Sequence, residues 1–559
     1  MGILLEEPLD LPEYNNSDVL VQKYGGTSVG TAKAMLNVAS IIKKSLYSTK
    51  VVAVLSAMSS HKKSEGTTSK LIQAMENINN SEIFTKILDE IQEYHISIAK
   101  EVIKKEEILN NIVDSINKEC NSLKRFMSAI AVVGEISAKS KDFIISVGEK
   151  LSANLFAGIL QSKGIDSEYI NLEHAVSYED FSNVPNLSDE FFQILSEKFA
   201  APVQACLNQN KVPVVTGFFG LIPGSLLTTI GRGYTDLCAA LIAVGLKARE
   251  LQIWKEVDGV FTADPRKTPK AKLLKELSAS EAEELTFFGS EVIHPYVMKQ
   301  AVLAGIPVKI KCVFNPEDQG TLIVLNSRSE DSKSEDTIYE NEPTAVTIKD
   351  NVTLIHIDLN TISSSNRTIY SLLHQLEKDG ISPDLVSISQ QKVLLALTET
   401  GHKLEKFIKL VKNNEYTLVK RNMCILALIT PPNVDKLALA TRMLNVLSEN
   451  NINVEMISHG ASNTNVACVV SNESSIKAMQ LVHDECIIES LERSDELKKK
   501  LFEDEITTNE ISPIPNTEKV LNNQTTETKI KPVKSKRFSS IRKFFNLKRN
   551  SKRNSIEVK

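Results

Sequence analysis

Lys23 stands two residues ahead of Gly25, Gly26, Thr27 and Ser28, so a cation is followed at once by two residues without side chains and then two hydroxyls. Glycines let backbone N–H groups close on phosphate oxygens, and a helix starting just beyond them adds a favourable potential for an anion. The stretch reads as a phosphate cradle at the end of a strand, although a plain strand-to-helix turn has the same composition. A second turn, Gly231, Arg232, Gly233, Tyr234, Thr235 and Asp236, precedes an Ala/Leu-rich stretch. One turn carrying a lysine and another carrying an arginine could hold both ends of a phosphoryl transfer. A third element runs from Trp254 and Lys255 through Asp258 and Gly259 to Phe261, then through Asp264 to Arg266; a DGVF run alone is a surface turn. Neither GxxxxGKS nor GxxxxGKT occurs, which excludes a Walker-type nucleotide fold.

The elements that would position these residues follow from hydropathy. From Val19 to about Val324, short apolar runs ending in Gly, Ser or Thr alternate with helix-like stretches, the signature of an α/β layer fold with a central, mainly parallel sheet. Strands are expected at Val19 to Lys23, Val51 to Ser56, Asp142 to Val147, Val212 to Gly217, Leu251 to Trp254 and Pro307 to Cys312, several of them continuous apolar runs suited to burial on both faces. Met35, Ala39 and Ile42 recur at helical spacing within Thr31 to Lys44, and Thr235 to Lys247 is a second helix. Residues 70–140 read as a Lys/Glu-rich helical insertion packed on the sheet, with Ile87, Ile91, Ile98 and Val102 on one face. The polar stretch 326–345 suits a linker, and a domain boundary is placed there.

Beyond it the chain repeats itself. Asn351, Ile355, Ile357, Leu373, Leu376, Ile381, Asp384, Ser387 and Ala396 recur at a constant offset as Asn422, Leu426, Leu428, Leu444, Leu447, Ile452, Glu455, Ser458 and Ala467. Such a register points to duplication of one supersecondary unit of βαββαβ order, the first over 346–420 and the second over 421–502. Residues 503–559 are Asn/Thr/Glu/Pro-rich and then basic, a composition that favours disorder. Residues 1–18 are a short extension with no visible secretory or organellar signal, and Glu6 stands where a myristoylation signal needs Ser or Thr.

Composition narrows the function classes. With 42% hydrophobic and 24% charged residues the chain is ordinary for a soluble multidomain protein, and no apolar sequence run approaches a membrane span. A formal net charge of −5 argues against bulk nucleic-acid binding. Seven scattered cysteines have no metal or redox spacing and suit buried thiols in a reducing cytoplasm.

Taken in order, VQKYGGTSVG, SVGEKLSA, GRGYTD, KEVDGVFTADPRK and FGSEVIHP resemble the aspartate kinase branch of the amino acid kinase family over residues 19–325, and the duplicated units resemble the paired ACT domains that follow in that family. LSAMSSHKKSEGTTSKL and the helical insertion look most like the monofunctional fungal form. The resemblance implies transfer of a phosphoryl group from ATP to the side chain of L-aspartate, with Mg²⁺, as the first step towards threonine, methionine and lysine. Lys23 would lie over the transferring phosphate with Gly25, Gly26, Thr27 and Ser28 around the phosphates, and Asp236 would organise the reacting groups. Lys255, Asp258, Phe261 and Arg266 fall in the nucleotide segment; Ser56, Thr68, Glu149, Arg232 and Thr235 match positions that hold aspartate. Glu291 replaces a lysine common in bacterial members. Asp384 and Ser389, expected on the helix-to-strand turn of the first unit, match effector positions, which implies feedback by threonine, or by lysine, and a homo-oligomer built through the ACT units. An acceptor already ionised at neutral pH needs no general base, so positioning and charge stabilisation would carry the reaction. The alternatives are a kinase for glutamate or N-acetylglutamate, and a catalytically silent ACT sensor.

Overall fold

A computed structural model of the chain describes residues 18–60, 65–182, 184–220, 222–223, 225–231, 233–290, 293–324, 342–358, 365–412, 417–460 and 462–493. Arg232, Glu291, the N-terminal extension, most of the expected linker and the basic tail lie outside the described residues. In chain order the first half comprises β1 (Val19–Tyr24), α1 (Ala32–Ser45), β2 (Lys50–Leu55), α2 (Thr67–Glu76), α3 (Ser81–Val102), α4 (Glu106–Val133), α5 (Ala138–Ser162), β3 (Ser167–Ile170), α6 (Asp189–Leu207), β4 (Val212–Thr216), α7 (Leu226–Thr229) and α8 (Tyr234–Leu246). It continues with β5 (Glu250–Lys255), β6 (Glu276–Ser278), α9 (Ala279–Phe287), α10 (Pro295–Leu303), β7 (Val308–Cys312) and β8 (Thr321–Val324).

The eight strands form one sheet in the order β3-β4-β2-β1-β5-β7-β8-β6, parallel throughout except where β7 meets β8. β1 is internal, with Lys23 in register with Val54 on one side and Ile253 on the other. Its near-continuous burial reflects helices on both faces, which is why the strand sequences show little alternation. The chain therefore leaves β1, β2 and β5 along one edge of the sheet, where open parallel sheets place their ligands.

One expected strand is instead a helix. Asp142 to Val147 lie inside α5, capped by Ser137, whose hydroxyl accepts from the Ser140 N–H at 3.1 Å. The run Phe143-Ile144-Ile145 looks strand-like, but Val147, Leu151, Leu155 and Ile159 continue it at intervals of four. The helix is buried on most of its circumference, so its apolar residues are contiguous rather than striped. The same burial explains why α5 is long and apolar enough to cross a membrane by composition while 89% of that window lies inside the protein. The expected insertion forms α2, α3 and α4, packed on one another and on α5. A Cβ at Gly158 would sit 2.5 Å from the Ile112 side chain, so α4 approaches α5 closely there.

The second half comprises β9 (Ala345–Asp358), α11 (Ser365–Asp379), β10 (Leu385–Ile388), β11 (Lys392–Leu397), α12 (His402–Lys412), β12 (Thr417–Ile429), α13 (Lys436–Glu449), β13 (Val454–His459), β14 (Asn465–Ser471) and α14 (Ser475–His483). Its antiparallel sheet has the order β10-β11-β9-β12-β14-β13, which reads the same backwards when each strand is exchanged for its repeat partner. The sequence repeat is reproduced in atomic detail. Asn351 and Asn422 both take positive φ, 63° and 58°, at a bulge, and Lys349–Asp384 recurs as Lys420–Glu455, each at 2.6 Å.

The βαββαβ order of each repeat is completed by sharing. β9 and β12 are long enough to serve both halves, so the early part of β12 borders the first repeat and the early part of β9 borders the second. One face of this sheet joins the core of the first half through Leu354, Leu385, Ile425 and Met456 against Ala282, Leu285 and Phe288. The other face carries α13 and α14 over one apolar cluster and α11 and α12 over another.

Candidate active site

At the end of β1 the Lys23 ammonium lies 2.7 Å from Oδ1 of Asp236, with only 12% and 13% of the two side chains exposed. Asp236 is the third residue of α8, where a carboxylate also suits the helix potential. Burial raises the Asp236 carboxyl, but Lys23 and then Lys255 outweigh it and hold the group below the usual carboxylate range. Gly233 starts the helix at φ 93°, and a Cβ there would meet His294 at 2.9 Å, so this turn needs glycine on both counts.

Beside the pair, Glu149 of α5 is buried and accepts a hydrogen bond from the Thr235 hydroxyl at 2.8 Å. Among the described residues its second oxygen, Oε2, has no hydrogen-bond partner. Burial pushes the Glu149 carboxyl up to about 8, against the pull of Thr235, Tyr234 and Lys23. A buried acceptor without a partner is costly, and a ligand's ammonium group would satisfy it.

The glycine turn is fixed from three sides. Ser28 donates to Oε1 of Glu256 at 2.8 Å, Ser59 N–H donates to the Gly26 carbonyl at 3.0 Å, and the Tyr94 hydroxyl of α3 donates to the Gly30 carbonyl at 2.7 Å. A Cβ on Gly26 would lie 2.4 Å from the Ala57 carbonyl, so this glycine is required by the β2 exit. Gly25 is different: a Cβ there would come no nearer than 3.9 Å to Lys23 Nζ and Ser28 Oγ. Thr27 and Ser28 form a short 3₁₀ turn that runs into α1. Ser56 follows β2 and donates its N–H to the Tyr24 carbonyl, while Thr68 lies in the first turn of α2. Gly148 lets α2 and the β2 exit approach α5, since a Cβ there would lie 2.9 Å from Ala57 and 3.1 Å from Thr67.

The remaining expected residues are more dispersed. Lys255 ends β5 and acts on Asp236 through its charge. Asp258 raises the Cys312 thiol, after the larger effect of burial, and so lies beside it. Phe261 forms an isolated bridge with Leu273. Arg266 is 87% exposed and grips Asp264 through two 3.0 Å bonds. Asp384, expected on a helix-to-strand turn, has one oxygen on Lys349 and the other on the Thr398 N–H at 2.7 Å, with 6% of its side chain exposed. Ser389 lies past β10, in the turn to β11, and not before the strand as expected.

Three positioning residues escaped the motif reading. Asp142 accepts from the Ser225 hydroxyl at 2.9 Å and from the Leu226 N–H at 2.6 Å, which fixes α7 and the approach to Gly231. Its place between Lys141 and the apolar run that starts at Phe143 concealed it. His294 contacts the Ile230 carbonyl at 3.3 Å and adds to the potential at Asp236. Tyr94 was concealed by an insertion read only as packing.

Residues 18–312 match the amino acid kinase family and 434–486 match the ACT domain. The chain is 40% identical over 487 residues to an aspartokinase of Schizosaccharomyces pombe, covering 84% of this chain and 92% of that one. It is 37% identical over 526 residues to an aspartokinase of Saccharomyces cerevisiae, covering 89% and 98%. Escherichia coli aspartokinase III, solved with aspartate and ADP in an R-state, superposes with a TM-score of 0.67 at 26% identity over 84% of this chain and 99% of that one. Its complex with lysine and aspartate, a T-state, gives a TM-score of 0.66 at the same identity and coverage.

Proposed function

The chain belongs to the amino acid kinase family as an aspartate kinase, converting ATP and L-aspartate to ADP and 4-phospho-L-aspartate, and from that premise we propose how its residues divide the work. The observation that carries the proposal is the Lys23–Asp236 pair beside a buried Glu149 oxygen without a partner. A side-chain oxygen of aspartate attacks the γ-phosphorus and the bond to the ADP oxygen breaks. Both reactants are anions, so repulsion is the obstacle, and Lys23 with the backbone N–H groups of Gly25, Gly26, Thr27 and Ser28 offsets it. Asp236 holds the lysine in place rather than taking a proton.

Glu149, with Thr235 beside it, receives the substrate ammonium, while Arg232 takes the backbone carboxylate, with Ser56 and Thr68 at the same end of the sheet. Lys255, Asp258, Phe261 and Arg266 form the nucleotide side. Among the described residues no group of three or more His, Cys, Asp or Glu could cage a metal. That donor set fits Mg²⁺ arriving on the phosphates of ATP with Asp236 as one nearby carboxylate, because Mg²⁺ keeps waters and takes few protein ligands. When bound, Mg²⁺ neutralises charge on the phosphoryl oxygens.

The ACT region binds a regulatory amino acid, for which threonine is favoured and lysine is the alternative, given the lysine complex of the bacterial relative. Ser389 supports this reading because it lines a cavity of about 580 Å³ with His356, Asp358, Ser387 and Lys392, an acid and a base suited to a zwitterion. An ammonium at Asp384 would have to displace Lys349. Exposed Val386 and Ile388 on edge strand β10, and Ile457 on edge strand β13, suit pairing with a second copy.

The test is Glu149→Gln. Loss of a buried charge-assisted hydrogen bond should raise KM for aspartate by about tenfold or more while KM for ATP stays within about twofold. Weakened ATP with unaffected aspartate would move Glu149 to the nucleotide side.

A further inference from the structure

The segment between Phe261 and Lys272 leaves the nucleotide side of the site and is gripped at intervals by the second ACT repeat. At its start, Oγ1 of Thr262 lies 2.9 Å from Nε2 of His483, the last residue of α14, and both side chains are buried. At its far end, Lys270 pairs with Asp484, the next residue, at 2.8 Å. Between them, Gln480 donates to the Lys267 carbonyl at 2.6 Å, and Lys267 faces Asp350 at 3.6 Å. The Val346 N–H of β9 donates to the Thr262 carbonyl at 2.8 Å.

The direction of the buried bond follows from its neighbours. Thr262 Oγ1 already accepts from the Lys272 N–H at 2.9 Å. A hydroxyl that accepts there still has its own proton to give to His483, and we assign Nε2 as the acceptor. That requires a neutral ring with its proton on Nδ1, the nitrogen 3.6 Å from the Asp484 carboxylate; burial favours the neutral form by lowering the imidazole pKa. Asp484 holds Lys270 and lies 3.6 Å from His483 Nδ1, beyond hydrogen-bond reach, so it acts on the ring through its charge. The chain at this point is a single π turn, Asp484–Ile488, a rare conformation that recurs at functional sites.

Helix α12 of the first repeat lacks the residues that α14 uses for this grip. At the repeat offset, Gln480 and His483 correspond to Lys409 and Lys412 of α12, which cannot accept from a hydroxyl. The duplicated units are thus alike in backbone and different in what they hold.

We propose that His483 is a positioning residue for the nucleotide site, acting through Thr262 to set the segment from Lys255 to Arg266. The inference rests on assigning that segment to ATP. His483→Phe and Thr262→Val each remove the bond, whereas His483→Gln keeps an acceptor near the Nε2 position and Thr262→Ser keeps the donor. KM for ATP should rise by about five- to tenfold in the first two, as for one buried hydrogen bond, with KM for aspartate unchanged. The two conservative variants should stay near the parent. Thermal melting checks folding, and Thr262→Val carries the test if His483→Phe does not fold.

Lys255→Met is the control. If it raises KM for ATP while Thr262→Val does not, the inference is overturned and the nucleotide assignment stands. If none of these variants affects ATP, that assignment fails and the inference with it. Equal damage in His483→Phe and His483→Gln would mean packing alone, and would also overturn it.

Discussion

Burial pushes the Glu149 carboxyl up to about 8, and this fixes the sign of a pH effect. Below that value Glu149 is protonated in the free enzyme, so the proposed pairing with the substrate ammonium would expel a proton. Apparent affinity for aspartate should then improve by about tenfold per pH unit between pH 6 and 8 and level off above it. KM for aspartate measured across that range checks this, and Glu149→Gln should flatten the profile. A flat profile in the parent would show that the ammonium binds elsewhere. At this scale the sequence was legible where residue type is itself the constraint. Gly26 and Gly233 had to be glycines, and the structure shows the carbonyl and the imidazole that a side chain would strike. Pairings such as Lys23 with Asp236 or Glu149 with Thr235 join distant parts of the chain, and motif order alone carries no distance. Asp142 was concealed because an acid that follows Lys139, Ser140 and Lys141 looks like part of a solvated stretch until its buried partners are known.

Elements were legible where a short apolar run is closed by a turn and misleading where a long helix is buried all round. β1, β2 and β4 fell close to their expected limits because each is a short apolar run closed by Gly, Ser or Thr, and β5 because its apolar run ends at the charged Lys255 and Glu256. α5 did not, since a helix buried all round loses its stripe and presents the same local pattern as an inner strand. The insertion was recognisable as helix from its spacing, yet its bearing on the site was not, because that depends on one side chain, Tyr94, reaching the Gly30 carbonyl. Tyr94→Phe removes only that hydroxyl. It should raise KM for ATP by about two- to tenfold, the range for one hydrogen bond, with little change in thermal stability. An unchanged KM would show that the glycine turn holds its shape without α3.

Over the whole molecule, the constant offset in the sequence anticipated duplication but not the sharing of β9 and β12, because strand pairing between repeats is set by tertiary register rather than by either repeat alone. Nor did it anticipate that one face of the second sheet shares a core with α9, which ties the regulatory half to the catalytic half through Leu285 and Phe288. That shared core gives amino-acid binding a physical route to the site, since an effector acts only through a difference between two arrangements of the chain. The account as a whole stands on Lys23 as the cation that offsets repulsion during transfer to aspartate. The most direct test is ADP release by the full-length chain with aspartate, glutamate and N-acetylglutamate as acceptors, run in parallel on Lys23→Ala. The account predicts turnover with aspartate alone and a fall of about 10²-fold or more in the variant, with its melting temperature retained. Turnover near that of the parent in a folded Lys23→Ala protein, or a preference for glutamate, would contradict it.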